Sequence, residues 1–219
     1  MSVIGGTGPQ GSGLGYRLAR AGHRIILGSR DPQRAATVAR QLTDRLGRRA
    51  GSVSGASNRA AVEASDMAIV AVPYAAQRLT IEEIAPALTG KVLISCVNPL
   101  GFDAVGPHGL DLPDGSAAEE LQRCVRHATV VAAFHHLSAS TLLGEAPLID
   151  EDVLVCGDDP EAVAAVCELA RAISGRPGVA GGALRLARQL EPLTAVLISI
   201  NKAYRAHSGL RITGLPSGR

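Results

Sequence analysis

The stretch Gly6-Thr7-Gly8-Pro9-Gln10-Gly11 has the spacing G-x-G-x-x-G, a pattern that can hold the pyrophosphate of a dinucleotide. Each glycine has its own reason to be there. Gly6 permits a tight turn after a strand, Gly8 keeps side chains away from the pyrophosphate, and Gly11 lets the next helix pack on that strand. The helix start then offers free backbone N–H groups to the anion. The plainer reading is a glycine-rich turn with no ligand, and the chain has 25 glycines. The context argues against it. A strand over residues 2–4 precedes the motif, a helical pattern from Ser12 to Ala21 follows, and His23 to Gly28 forms a second strand at the right distance.

At the end of that second strand an NAD site places Asp or Glu for the adenosine ribose hydroxyls. This chain has Gly28, Ser29 and Arg30 there, with Arg34 one helical turn further on. The extra phosphate of NADP carries a charge of about −2, which a carboxylate would repel. An arginine can instead make paired, charge-assisted hydrogen bonds to it, and Ser29 adds a hydroxyl donor. Each such bond contributes roughly 1.5–3 kcal/mol. Two or three of them favour NADP over NAD by a factor on the order of hundreds. The alternative makes Arg30 and Arg34 ordinary surface residues. Cations at a helix N-terminus oppose the helix dipole, and a bound phosphate relieves that conflict.

The elements that must position these residues follow from the pattern. Short apolar runs alternate with helical stretches, which predicts an α/β, doubly wound parallel sheet of the Rossmann type. A smaller, mainly helical α/β part follows at the C-terminal end. We expect an NADP-binding domain over 1–147 and a second part over 148–219. Asp31-Pro32 and Asp159-Pro160 each read as N-cap and first helical residue, opening helices to about Leu46 and Ile173. Residues 51–57 read as a weak strand, with Asn58 capping a short helix through Glu63. Residues 66–73, 91–97, 128–134 and 153–157 read as buried strands, with Pro73 ending the first of them at a loop. A short helix is expected from Ile81 to Ala87, interrupted by Pro86. Ser116 and Glu119 form a capping box after a long loop. The last long element, Leu184 to Ala206, carries an apolar stripe at Leu186, Leu190, Leu193, Leu197, Ile200 and Tyr204. That stripe packs inside the monomer or against a second subunit. Pro192 should kink the helix or mark a restart.

Composition excludes several functions. The chain has 219 residues, no Trp, two Phe and three Tyr, so it offers no aromatic platform for single-stranded nucleic acid. Net charge is +2, and the one mild basic cluster, Arg45, Arg48 and Arg49, reads as a solvated helix end. Apolar runs fall far short of the roughly 20 residues that span a bilayer. Cys96, Cys124, Cys156 and Cys167 form no C-x-x-C pair and read as small buried residues of a reducing cytosol. The expected protein is cytoplasmic, with small-molecule partners and neither nucleic acid nor membrane.

With these residues in view, the chain resembles the F420-dependent NADP reductases over nearly its whole length. The resemblance rests on GGTGPQGSGLGYRLARAGHRIILGSR, DMAIVAVPY, VVAAFHHLSA, VLVCGDD and LEPLTAVLISIN. It implies NADP and coenzyme F420 as cofactors, hydride transfer between them, and a homodimer. Thr7, Gly8, Pro9 and Gln10 match the family's contacts along the glycine loop. Ser29, Arg30 and Arg34 match its phosphate clamp, although the last is usually a lysine. Pro73 and Tyr74 match the loop beside the nicotinamide half. Ala139 matches a further contact, and Leu210 is the best match near F420. The chain departs from the family at His135-His136-Leu137-Ser138, where His-Thr-Ile-Pro is common, and in a longer C-terminal tail.

Hydride transfer needs no nucleophile, and no Ser-His-Asp or zinc-ligand spacing is present. His135, at a strand end, could hydrogen-bond a cofactor or help move the accompanying proton. A polar strand end with one ring packed inward is the plainer account of His135-His136. Two rival functions remain. One is an NADPH-dependent reductase of another acceptor, such as a flavin, imine or ferric chelate. The other is a non-catalytic NADPH sensor.

Overall fold

The computed structural model describes residues 1–47, 51–144, 148 and 151–215. In chain order the elements are β1 (Ser2–Ile4), α1 (Pro9–Arg20), β2 (Arg24–Ser29), α2 (Pro32–Leu46), β3 (Ser52–Ser57), α3 (Asn58–Glu63), β4 (Met67–Val70) and α4 (Tyr74–Ile84). They continue with β5 (Val92–Ser95), β6 (Leu100–Phe102), β7 (Pro107–Gly109), α5 (Ala117–Cys124), β8 (Thr129–Ala133), α6 (Ala139–Leu142), β9 (Leu154–Gly157), α7 (Pro160–Ser174), β10 (Val179–Gly182) and α8 (Ala187–Tyr204). Short 3-10 turns at 85–88 and 184–186 lead out of α4 and into α8.

Eight strands form one sheet in the order β10-β9-β8-β5-β4-β1-β2-β3. Every pair is parallel except β8–β9. From β3 to β8 this is the doubly wound order, and the winding reverses between β1 and β4. Ligands of such sheets bind beyond the carboxyl ends of the strands at that reversal. The segment after residue 148 adds β9 and β10 to the same sheet and lays α8 across one of its faces.

Alternation along the strands divides the core. Val3 and Ile69 face the side covered by α1, α2 and α7. Ile4, Ala68 and Val70 face the side covered by α4, α5 and the start of α8. Strands buried on both faces need apolar runs, as in Met67–Val70 and Val92–Ile94. β1 has only three residues, but all are buried, and Ser2 and Val3 are paired on both edges.

The caps form as their residue types require. The Asp31 carboxylate accepts from the Gln33 and Arg34 N–H groups, and Asp159 accepts from Ala162 N–H. Ser116 accepts from Glu119 N–H at 3.1 Å. Other expectations need correction. The cap of α3 is Ser57, which accepts from Ala60 N–H, while Asn58 is buried inside the first turn. The strand expected over 66–73 ends at Val70, the loop that follows is only three residues long, and Pro73 is the N-cap of α4, so that helix begins at Tyr74, seven residues before Ile81. Pro86 falls in the 3-10 turn beyond it. The stretch read as a loop before Ser116 contains the β6–β7 hairpin, whose turn is tied by Asp103 accepting from Val105 and Gly106 N–H groups.

α8 runs unbroken through Pro192, so there is no restart; the ring packs against Gly109 of the hairpin. On the stripe, Leu190 and Leu197 are buried, whereas Leu186, Ile200 and Tyr204 are exposed. Cys96 and Cys156 are buried, but Cys124 is exposed at the end of α5 and Cys167 is half-buried, so the uniform burial expected of the cysteines is wrong. Arg45 lies over the Tyr16 ring at 5.0 Å, and Arg48 and Arg49 lie outside the described residues. Among the described residues no helix is long and apolar enough to cross a membrane.

Candidate functional site

The loop between β1 and α1 is built by backbone contact. Gly5 takes the left-handed conformation (φ 73°), one residue before the glycine that spacing assigned to the turn. Gly6 N–H donates to the carbonyls of Val3 at 3.1 Å and Gly28 at 2.9 Å, drawing the loop onto β2. Gly11 packs so tightly that a Cβ there would lie 2.8 Å from the Gly5 carbonyl oxygen. At Gly8 a Cβ would meet only the Gly5 oxygen, at 3.5 Å, and would otherwise project into open space. Gly8 is the N-cap of α1 and no side chain caps that end. Pro9 has no N–H to leave unpaired, and the remaining first-turn donors point out of the helix toward any anion.

This loop borders a cavity of about 590 Å³ that also takes in Ser29, Arg30, Arg34, Asn58, Pro73 and Thr80. Thr7 and Gly8 are part of its wall. Ser29 is buried and its Oγ accepts from Asp31 N–H at 3.1 Å, which leaves the hydroxyl proton free to donate. Arg30 and Arg34 are exposed. No carboxylate pairs with either among the described residues, because the Asp31 carboxylate is turned onto the helix N–H groups. No acid fits at position 28 either, since a Cβ on Gly28 would lie 2.8 Å from Asn58 Oδ1. The result is two free guanidiniums and a hydroxyl donor facing one space.

A second cavity, of about 300 Å³, opens beyond β5 and β8. Gln10, Cys96, Asn98, His135, Ala139 and Leu197 line it. Phe134, fully buried, has φ 68°, a strained backbone for a bulky residue. Its carbonyl accepts from Gln10 Nε2 at 3.2 Å. The His135 carbonyl accepts from Asn98 Nδ2 at 2.9 Å and Thr194 Oγ1 at 3.0 Å. These clamps hold the bend that turns His135 into the cavity. The ring is 2 % exposed, yet neither of its nitrogens makes a hydrogen bond of good geometry, the Val97 backbone acting only weakly on it, and Asn98 Oδ1 is also unpartnered. Burial pushes the His135 pKa down to about 3, with the neighbouring His136 acting in the same direction. Buried polar atoms without partners are rare and need an explanation; a bound polar ligand supplies one.

Not every expected residue faces a cavity. Tyr74 turns away, its hydroxyl donating to Glu120 on α5 at 3.0 Å. Leu210 is half-buried on the C-terminal tail, where its carbonyl accepts from Asp152 N–H at 2.7 Å; its neighbour-but-one Ser208 lines the second cavity instead. Gln10 lines the second cavity rather than the first. Sequence reasoning missed Asn58, Asn98 and Thr194. Asn98 precedes Pro99, a turn signal at a strand end that could have marked it. Thr194 lies beside the apolar stripe of α8 and carries no such signal.

Residues 1–99 match the family described as NADP oxidoreductase, coenzyme F420-dependent. The chain is 40% identical over 223 residues to the F420-dependent NADP reductase of Methanothermobacter marburgensis, covering 99% of each chain. It is 35% identical to that of Methanocaldococcus jannaschii, covering 98% of each. A crystal structure from Arthrobacter sp. FB24, described as a proposed F420-dependent NADP reductase, superposes with a TM-score of 0.81 at 25% identity, covering 97% of this chain and 98% of that one.

Proposed function

The chain belongs to the F420-dependent NADP oxidoreductase family, and from that premise we propose that it transfers a hydride between coenzyme F420 and NADP(H). One observation carries the assignment of the NADP half. Ser29, Arg30 and Arg34, free of acidic partners among the described residues, converge on the cavity that the glycine loop borders. In this reading they hold the 2′-phosphate. The backbone from Gly6 to Gln10 receives the pyrophosphate, and Pro73 with the Tyr74 backbone flanks the nicotinamide half.

The deazaflavin is assigned to the second cavity, with His135, Ala139 and, from the C-terminal part, Asn201 and Ser208 completing it. When bound, the two coenzymes supply the redox chemistry, hydride moving between nicotinamide C4 and deazaflavin C5. The protein's work is alignment and exclusion of water. His135 acts here as a neutral ring: one nitrogen keeps its proton and donates, and the other accepts. It orients a polar edge of the ligand rather than trading a proton near neutral pH.

Residence in the cytoplasm as a homodimer completes the reading. The four free cysteines suit a reducing compartment, and exposed Val196, Ile200 and Tyr204 on α8 offer an apolar face for a second copy. Mixing the protein with NADPH and F420 and following the deazaflavin absorbance tests the function. Loss of that band with NADPH supports it; a flat trace despite tight NADPH binding would move the assignment to another acceptor or to a sensor.

A further inference from the structure

We propose that Asp152 is a positioning residue that latches residues 205–212 as the outer wall of the His135 cavity. Its assignment to deazaflavin binding rests on the functional reading above; the latch itself is geometric.

α8 ends at Tyr204, and Arg205 (φ 52°) reverses the chain. The strap that follows doubles back over the cavity. Ser208 N–H donates to Asn201 Oδ1 at 2.6 Å, and both residues line the cavity wall. His207 Nδ1 meets Ser140 Oγ at 3.1 Å across the mouth, from the opposite wall formed by α6. Gly209 then lies flat against Glu151, leaving no room for a side chain.

Asp152 engages this strap with everything it has. Its N–H donates to the Leu210 carbonyl at 2.7 Å, and its Oδ2 accepts from Ile212 N–H at 2.8 Å. Its own carbonyl meets His136 Nε2 at 2.7 Å. A carbonyl only accepts, so Nε2 carries the proton of that neutral ring. One residue, 2 % exposed, therefore fixes both His136 in the cavity wall and the strap outside it. Besides Asp152, Ser208 and His207 hold the strap, Ser208 Oγ donating to the Leu197 carbonyl at 3.4 Å, but it buries little apolar surface, for Ala206, Gly209 and Ile212 are exposed. A segment held by a few hydrogen bonds and little apolar burial opens locally with ease once a bond is removed.

The test compares Asp152→Ala, Asp152→Asn and Ile212→Pro with the unaltered protein. Asn keeps an acceptor oxygen; Pro removes the Ile212 N–H at an exposed position, taking one donor from Asp152 without altering an interior side chain. Amide hydrogen exchange without any cofactor reads the latch. NADPH dissociation constants and the KM and kcat for F420 read its consequence. In Asp152→Ala and Ile212→Pro, exchange over 205–212 should quicken by about tenfold or more, with β4 and β5 unchanged. The KM for F420 should rise by about fivefold or more, with kcat and NADPH affinity within about twofold, and Asn should restore most of both. Unchanged exchange in Ile212→Pro overturns the latch, and this variant decides if Asp152→Ala does not fold. A loosened strap with an unchanged KM overturns its role at the cavity. If the unaltered protein does not turn over F420 at all, the functional reading fails, while the exchange result still decides the latch.

Discussion

Replacing Arg30 by Asp should separate the two nicotinamide coenzymes. Arg30 and Arg34 face solvent with no acidic partner among the described residues, so neither must break an ion pair there to meet a phosphate. Their exposure places each contact at the lower end of the range for charged hydrogen bonds, about 1.5 kcal/mol. Arg30→Ala should therefore weaken NADPH about tenfold. Asp adds repulsion. Two unit charges about 4 Å apart interact by about 1 kcal/mol even at the dielectric constant of water, and the phosphate carries about two, adding about 2 kcal/mol. The sum is about 3.5 kcal/mol, or a few hundredfold in the NADPH dissociation constant. NADH has no such phosphate and should bind unchanged. Calorimetric titration of both coenzymes into wild type, Arg30→Ala and Arg30→Asp measures this. Added salt should shrink the NADPH preference of the wild type, since the contacts are solvent-exposed. Equal weakening of NADPH and NADH by Arg30→Asp would refute the reasoning, because the damage would then lie in the shared part of the site.

Two glycine substitutions should split binding from stability. Gly11→Ala drives a Cβ to 2.8 Å from the Gly5 oxygen and 2.9 Å from Gly6 Cα, so it should destabilise by about 1–3 kcal/mol and lower Tm by several degrees. Gly8→Ala meets only the Gly5 oxygen, at 3.5 Å, and should keep Tm while weakening NADPH by about tenfold. Glu191 is buried on α8, accepts from Ala117 and Ala118 N–H groups at the start of α5, and burial raises its pKa to about 7. Between pH 4.5 and about 7 the folded protein binds more protons there than the unfolded chain, so stability falls as pH rises through this window, by on the order of 3 kcal/mol. Glu191→Gln should remove that slope in denaturant titrations across pH 5 to 8. His135 acts in the opposite sense. With its pKa lowered to about 3, its contribution is lost as pH falls from 6.5, and histidine NMR should find its ring neutral throughout pH 5 to 8.

What could be read from the chain was what neighbours in sequence determine. The glycine spacing, the Ser29-Arg30-Arg34 cluster and the Asp31-Pro32 and Asp159-Pro160 caps depend on residues within a turn or two of one another. The start of α4 failed for a local reason. A proline after an apolar run reads as punctuation, whereas the extended backbone of Pro73 (ψ 142°) makes it the cap for the helix-forming run behind it. The rest was out of reach because it joins distant residues. Gln10 reaches Phe134 across 124 positions, Ala117 donates to Glu191 across 74, and Ile212 donates to Asp152 across 60. No periodicity records such pairs. His135 was visible as a polar residue at a strand end, but its buried and unpartnered state follows from the bend at Phe134 and the clamps on either side of it.

Transfer of a deuterium label tests the central claim most directly. NADPH deuterated at C4, prepared separately in each of its two epimers, would be oxidised by the protein in the presence of F420, and the reduced deazaflavin analysed by mass spectrometry in ordinary water. Direct transfer between coenzymes aligned face to face predicts that one epimer delivers its deuterium to deazaflavin carbon and the other retains it. Deuterium appearing in solvent, or arriving equally from both epimers, would contradict the account.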